Sequence, residues 1–234
     1  MDRRRRRDRA LATLAVLLIA AVATGILIAT HRRTRQGAAT PTRQPLPTSS
    51  SPSTSAAPSP GSAADLTTIQ FQGATVPVSR SSGPFRITGD LASGFAETPL
   101  GAALAAVHIS ARVNPDAGPA VFRPTITAQT TGDPAAFLNN INDQYQADAG
   151  QAGVAPGAPV SHGTPGEVMG YKVDSYSVTG PTTVHLLASQ PGTSLVVDIP
   201  VTVTWTGSDW KLIPPPGGSF SGSRVDSSAG YTTF

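Results

Sequence analysis

The sequence predicts an α+β domain: helices packed on a curved antiparallel sheet, carried behind an N-terminal transmembrane helix. Three observations lead there. Ala10–Thr30 is a run of 21 residues without a charged side chain. Two segments open with a capping residue followed by proline, Thr98-Pro99 and Asp133-Pro134, and then repeat apolar residues at helical spacing. The last third instead alternates apolar and polar residues with the period of a strand, most clearly from Leu195 to Trp205.

At 1.5 Å per residue, a helix over Ala10–Thr30 spans roughly 30 Å, one bilayer hydrocarbon core. Arg3–Arg7 and Arg9 precede it, and Arg32, Arg33 and Arg35 follow it. The heavier basic cluster predicts a cytoplasmic tail at residues 1–9, a transmembrane helix at 10–30, and everything later on the extracytoplasmic side. A cleaved signal peptide is the alternative, with Leu11–Ala20 as its apolar core and Ala21-Val22-Ala23 as the cleavage site. Ile26-Leu27-Ile28-Ala29 continues the apolar run past that site, and the arginines beyond it act as a stop, so the retained anchor is preferred. Ala21, Gly25 and Ala29 place small residues on one helical face, a possible packing face for a second transmembrane helix. The same series also arises by chance in so alanine-rich a helix.

Charge is divided as sharply as hydropathy. Residues 1–43 hold ten of the 17 Lys+Arg and two of the 14 Asp+Glu, leaving residues 44–234 with a net of −5. The basic sequence pI of 9.7 therefore reflects membrane topology. The folded part lacks the clustered Lys and Arg that displace counterions from nucleic acid, so no direct nucleic-acid contact is expected of it. The absence of cysteine removes disulfides, thiol nucleophiles, Cys-ligated metals and lipoprotein acylation together.

Residues 31–64 form a Pro/Ser/Thr-rich linker without aromatic residues. Such a segment cannot bury enough apolar surface to offset its ordering entropy, and its prolines favour an extended spacer. The domain then occupies residues 65–234. Leu66–Ser79 reads as an early extended segment, with Pro77 implying an edge position. Thr98 caps a helix that Pro99 starts; Leu100, Ala103, Leu104, Val107 and Ala111 fall on one face, and Asn114-Pro115 ends it. Val121–Gln129 is a shorter helical piece despite Pro124. Asp133-Pro134 opens a further helix with Phe137, Ile141 and Tyr145 at i, i+4 and i+8, closed by Gly150. A Gly/Pro-rich connection covers Gln151–Gly166.

In Gly170–Val178 the apolar phase moves from Tyr171 and Val173 to Tyr176 and Val178, which predicts a bulge near Asp174-Ser175. Pro191-Gly192 joins Val184–Ala188 to the long strand at Leu195–Trp205, whose apolar residues alternate throughout. Gly207-Ser208-Asp209 turns the chain into a partner strand with Trp210 and Leu212, stopped by Pro214-Pro215-Pro216. Trp205 and Trp210 read as hairpin core. Helices followed by a meandering sheet give the α+β class.

Catalytic patterns are scarce. His31, His108, His162 and His185 form no ligand spacing, so no metal is expected. No Gly-x-Ser-x-Gly elbow and no phosphate-cradling loop occurs, so no cofactor is expected either. Tyr171, Asp174, Tyr176 and Asp198 are the polar groups that could line a pocket, with an Asp as general base and a Tyr as hydrogen-bond donor. The alternative puts Asp198 on the polar face of its strand and the tyrosines in surface packing.

Three stretches carry a resemblance: Gly94-Phe95-Ala96-Glu97-Thr98-Pro99-Leu100-Gly101-Ala102, Gly118-Pro119-Ala120-Val121-Phe122-Arg123-Pro124 and Trp205-Thr206-Gly207-Ser208-Asp209-Trp210-Lys211-Leu212. Over about Pro84–Phe234 the chain resembles an actinobacterial family of single-pass membrane proteins from integrative conjugative elements and plasmids. The resemblance implies a cystatin-like, nuclear transport factor 2-like extracytoplasmic domain. It also implies an accessory or scaffold role in a conjugative, type IV secretion-like DNA-transfer apparatus, with envelope or membrane proteins as partners and a homo-oligomer among the options. Its motifs are structural landmarks: a helix cap, a close-packing Gly101 and a Trp-bearing hairpin. Actinobacterial Mce-associated membrane proteins of lipid-import systems are similar in plan. Some cone-fold domains are enzymes or small-ligand binders, a further alternative.

Overall fold

The computed structural model describes residues 65–161, 166–189 and 193–234. The basic tail, the anchor with Ala21, Gly25 and Ala29, and the linker lie outside the described residues, as do His162 and Pro191-Gly192. Among the described residues, no helix is long and apolar enough to cross a membrane.

The chain enters through a hairpin, β1 (Leu66–Phe71) and β2 (Ala74–Ser79). Sequence periodicity suggested one extended segment here. Gln72 and Gly73 fold it back instead, both at positive φ (49° and 83°), as a two-residue hairpin turn requires. Pro77 sits on β2, which among the described residues has β1 as its one strand partner, so its missing N–H breaks no second ladder there. A second, short hairpin follows, β3 (Arg86–Thr88) with β4 (Leu91–Ser93). Nothing in the apolar pattern announces three-residue strands.

Helix α1 (Pro99–Val113) begins where its cap predicts: the Thr98 hydroxyl accepts from the Gly101 N–H at 3.0 Å. Every residue from Leu100 to Val113 is buried, not one face alone. Alanine on the second face is the reason, because small side chains let another layer approach the helix on both sides. Helix α2 (Pro119–Gln129) starts two residues before the expected piece and keeps Pro124 inside it. Ala120 and Pro124 are both exposed, so the carbonyl that loses its donor faces water. Helix α3 (Pro134–Ala152) is capped by the Asp133 carboxylate on the Ala136 N–H at 2.9 Å. It runs through Gly150, which the sequence reading took as its end. Gly153, left-handed at φ 66°, supplies the actual stop.

Strands β5 (Glu167–Ser175), β6 (Pro181–Ser189) and β7 (Val196–Trp205) form an antiparallel meander. β8 (Trp210–Leu212) continues it along one half of the free edge of β7; β9 (Ser223–Val225) takes the other half. β10 (Thr232–Thr233) pairs with β5 at the opposite edge. The expected bulge is present, as a register shift between Val173 and Ser175. Val184, Leu186, Ile199, Val201 and Val203 are buried on the sheet face toward α1, with Trp210 and Leu212 at the end of that layer. Among the described residues the fold is thus α+β, with three α-helices and a mainly antiparallel sheet.

Candidate functional site

The sheet face away from α1 carries the charge. Strict alternation puts Lys172 on β5, His185 on β6 and Asp198 on β7 on this side, because Val173, Val184 and Ile199 occupy the other. The His185 Nδ1–H donates to both Asp198 carboxylate oxygens, at 2.9 and 3.0 Å. This fixes the ring and aims Nε2 at Asp174, whose Oδ2 lies 3.4 Å away. Asp174 reaches that position because it is the extra residue of the bulge: Val173 pairs with Val184 and Ser175 with Thr183, leaving Asp174 unpaired between them. Lys172 approaches the other Asp174 oxygen at 3.8 Å.

The C-terminal segment completes the group. Between β9 on one edge and β10 on the other, the chain crosses this face, since the Tyr231 ring lies 5.5 Å from the Lys172 Nζ and the Asp198 and Asp174 carboxylates are near enough to act on its hydroxyl. Partial burial, with the Asp198 and Asp174 carboxylates beside it, pushes the Tyr231 phenol up to about 12. Phe234 then turns round the β5 edge and stacks on Tyr171, ring centroids 4.9 Å apart. The five polar side chains form a lock that holds the C-terminal segment across the sheet.

Of the four residues that sequence reasoning grouped as pocket lining, the structure brings together Asp174 and Asp198, on either side of His185. Tyr171 belongs to the opposite face, where burial raises its phenol pKa. Tyr176 lies at the Trp hairpin, its hydroxyl donating to the Glu97 carbonyl at 2.8 Å and its ring 5.9 Å from Trp210. His185 and Tyr231 were missed as site residues. Register on neighbouring strands pairs His185 with the Lys172 row, a signal readable once the meander is drawn; the path of the C-terminal segment has no such signal.

A second cluster is built from the motif stretches. The Asp209 carboxylate accepts from Gly94 N–H at 2.8 Å, from Phe95 N–H at 2.9 Å and from Trp210 N–H at 2.9 Å. Trp210 Nε1–H donates to the Ala96 carbonyl at 2.8 Å, and Trp205 packs on it at 5.5 Å. A Cβ on Gly101 would stand 2.0 Å from the same Ala96 oxygen. The hairpin and the loop before α1 are therefore one latch.

The third cluster is buried. His108 Nε2–H donates to the Pro77 carbonyl at 2.7 Å, so Nδ1 is the acceptor for Arg112 Nη1 at 2.9 Å. Arg112 Nε donates to the Asp90 carbonyl, and its guanidinium covers the Phe71 ring at 4.2 Å. Burial, then the neighbouring Arg112 charge, lowers His108 to about 3; burial lowers Arg112 to about 10. This pair ties both N-terminal hairpins to α1. Away from all three clusters, a groove of about 440 Å³ runs between Thr131–Asn140 and Ile213–Gly218; its ionisable group, Asp133, is the α3 cap.

No group of three or more His, Cys, Asp or Glu among the described residues is placed to hold a metal ion. One family model, described as Domain of unknown function (DUF8175), matches residues 30–233. The chain belongs to that family. No curated protein and no solved structure matches the chain. The DUF8175 match takes in the linker as well as all three clusters and the C-terminal segment up to Thr233.

Proposed function

We propose that the chain is a non-enzymatic, single-pass membrane protein. Its N-terminus is cytoplasmic, and its extracytoplasmic domain acts as an accessory or scaffold part of a conjugative, type IV secretion-like DNA-transfer apparatus. On this reading the α+β plan is a cystatin-like, nuclear transport factor 2-like cone, and the partners are other envelope proteins of the transfer complex. The uninterrupted apolar run at Ala10–Thr30, its arginine flanks and the sequence resemblance support the membrane and conjugation parts.

One observation carries the scaffold reading. The sheet face on which a ligand-binding cone keeps its pocket is filled by α1, buried from Leu100 to Val113. Phe95, Tyr145 and Trp210 close the remaining space around it. The carboxylates that could serve as bases, Asp174 and Asp198, stand on the other face, each directed at a ring nitrogen of His185. A domain with a filled core and an intact surface is suited to binding proteins.

Deletion of the gene in a donor cell tests this. Transfer frequency is expected to fall by two orders of magnitude or more and to recover with the full chain, but not with residues 65–234 exported without the anchor. Undiminished transfer with impaired lipid uptake would overturn the conjugation role in favour of a lipid-import system.

A further inference from the structure

Among the described residues, three large apolar side chains are exposed, and two of them are neighbours: Phe85 at 55 % and Ile87 at 47 %. Ile87 stands on β3 and Phe85 directly precedes it, in an exposed run from Phe85 to Asp90. A hairpin that presents an aromatic and a β-branched residue to water, side by side, calls for a partner surface. Two arginines accompany them. Arg86 lies between the two apolar residues. Arg80 caps a tight loop closed by the Ser79–Gly83 pair of hydrogen bonds (2.8 and 2.9 Å), and both arginines are exposed. Two carboxylates share this region. Asp65 is turned to Ser79 Oγ (2.9 and 3.0 Å) and Ser81 N–H (2.8 Å), and Asp90 faces the buried Arg112 charge.

The position of this patch is as informative as its chemistry. Asp65 is the first described residue, the point where the linker enters the domain, and its hydrogen bonds fix it beside Arg80. The patch therefore sits at the tethered end of a domain that is otherwise net negative. We propose that the β3–β4 hairpin, with Phe85 and Ile87 flanked by Arg80 and Arg86, is a lipid-contacting surface that seats the domain on anionic headgroups of the membrane holding its anchor. Aromatic and aliphatic side chains enter the interfacial layer while guanidinium groups pair with lipid phosphates. Tethering supplies the effective concentration that so small a patch needs. The inference rests on the anchor reading above.

The cysteine-free chain allows a direct test. Full-length Ile87→Cys, Thr88→Cys and, as control on the exposed face of α3, Gln146→Cys are labelled with a nitroxide. They are then reconstituted into vesicles of phosphatidylcholine with 30 % phosphatidylglycerol. The labels at 87 and 88 are expected to be at least threefold more accessible to dissolved oxygen, relative to a water-soluble nickel relaxant, than the label at 146. Arg80→Ser with Arg86→Ser, or pure phosphatidylcholine, should abolish most of that difference. Labels at 87 and 146 with equal, aqueous accessibility in a chain that resists carbonate extraction overturn the docking alone. Immobilisation at 87 without gain in oxygen access points to a protein contact and also overturns it. A chain stripped by carbonate overturns the anchor and the docking together.

Discussion

The two sides of the main sheet solve the same problem, burying a histidine next to charge, by opposite means. On the α1 side, His108 has no solvent, no carboxylate and an arginine as neighbour, so it is held neutral between a carbonyl and a guanidinium. On the outer side, His185 keeps 18 % of its side chain exposed and has a carboxylate oxygen facing each ring nitrogen. The first arrangement fastens the N-terminal hairpins into the core; the second fastens the C-terminal segment onto the surface. Burial makes the inner joint strong and brittle, while water and salt make the outer one weak and reversible.

Acid should separate the two joints most clearly. The folded-state pKa of His108, about 3, lies below its ordinary 6.5, so the unfolded chain takes up a proton first. Stability is then complete above about pH 6.5 and is lost as pH falls toward 3, by about 4 kcal/mol for this one group. Urea unfolding between pH 7 and pH 4 should show the slope, and His108→Gln should flatten it.

The latch should give the next largest effect. Gly101→Val drives side-chain carbon into the Ala96 carbonyl, which Trp210 also holds, so backbone must move. A loss of about 3 kcal/mol is expected from thermal melts. Asp209→Ala strips the acceptor from the Gly94, Phe95 and Trp210 N–H groups, and about 2–3 kcal/mol is expected for three part-buried donors. Retained stability in Asp209→Ala would show that the two motif stretches fold independently.

These joints differ in how far the sequence reveals them. Caps with Pro at the first turn gave the starts of α1 and α3, and alternation gave β7, because both signals are local and repeated. The bulge at Asp174 was legible as a phase shift. Four features escaped: the fold-back at Gln72-Gly73, the second buried face of α1, the continuation of α3 through Gly150, and the short strands β3, β4, β9 and β10. In α1 the alanines carry no amphipathic contrast, so the layer above had to be seen to be known. In α3 a single glycine costs about 1 kcal/mol, less than the packing of Tyr145 and Ala149 returns. Two- and three-residue strands have no period at all: β9 and β10 form because a sheet edge is there to pair with, and β3 and β4 because the chain folds them onto each other. Site residues follow the same rule. Asp198 stood out by alternation, whereas Tyr231 comes to it from 33 positions along the chain, through a segment without pattern.

The outer joint offers the smallest effect, and the cleanest. The Tyr231 phenol is raised to about 12 by partial burial and by Asp198 and Asp174. A group whose folded pKa is raised adds stability below its ordinary pKa of 10, and that stability is lost as pH climbs from 10 through 12. Because Tyr231 is only partly buried and lies in the terminal segment, what should change is the docking of that segment, with global unfolding hardly affected. In an absorbance titration near 295 nm, Tyr231 should ionise well after an ordinary phenol does, in a late phase it shares with Tyr171 and Tyr176, whose phenols burial also raises. Asp198→Asn removes the neighbouring carboxylate and should bring the Tyr231 part of that late phase down. Tyr231→Phe should take one phenol out of the late phase, while melting shifts by under about 1 kcal/mol and amide exchange rises at Thr232 and Thr233. If Asp198→Asn leaves the late titration in place, the carboxylate is not what holds the phenol. The lock would then reduce to the stacking of Phe234 on Tyr171.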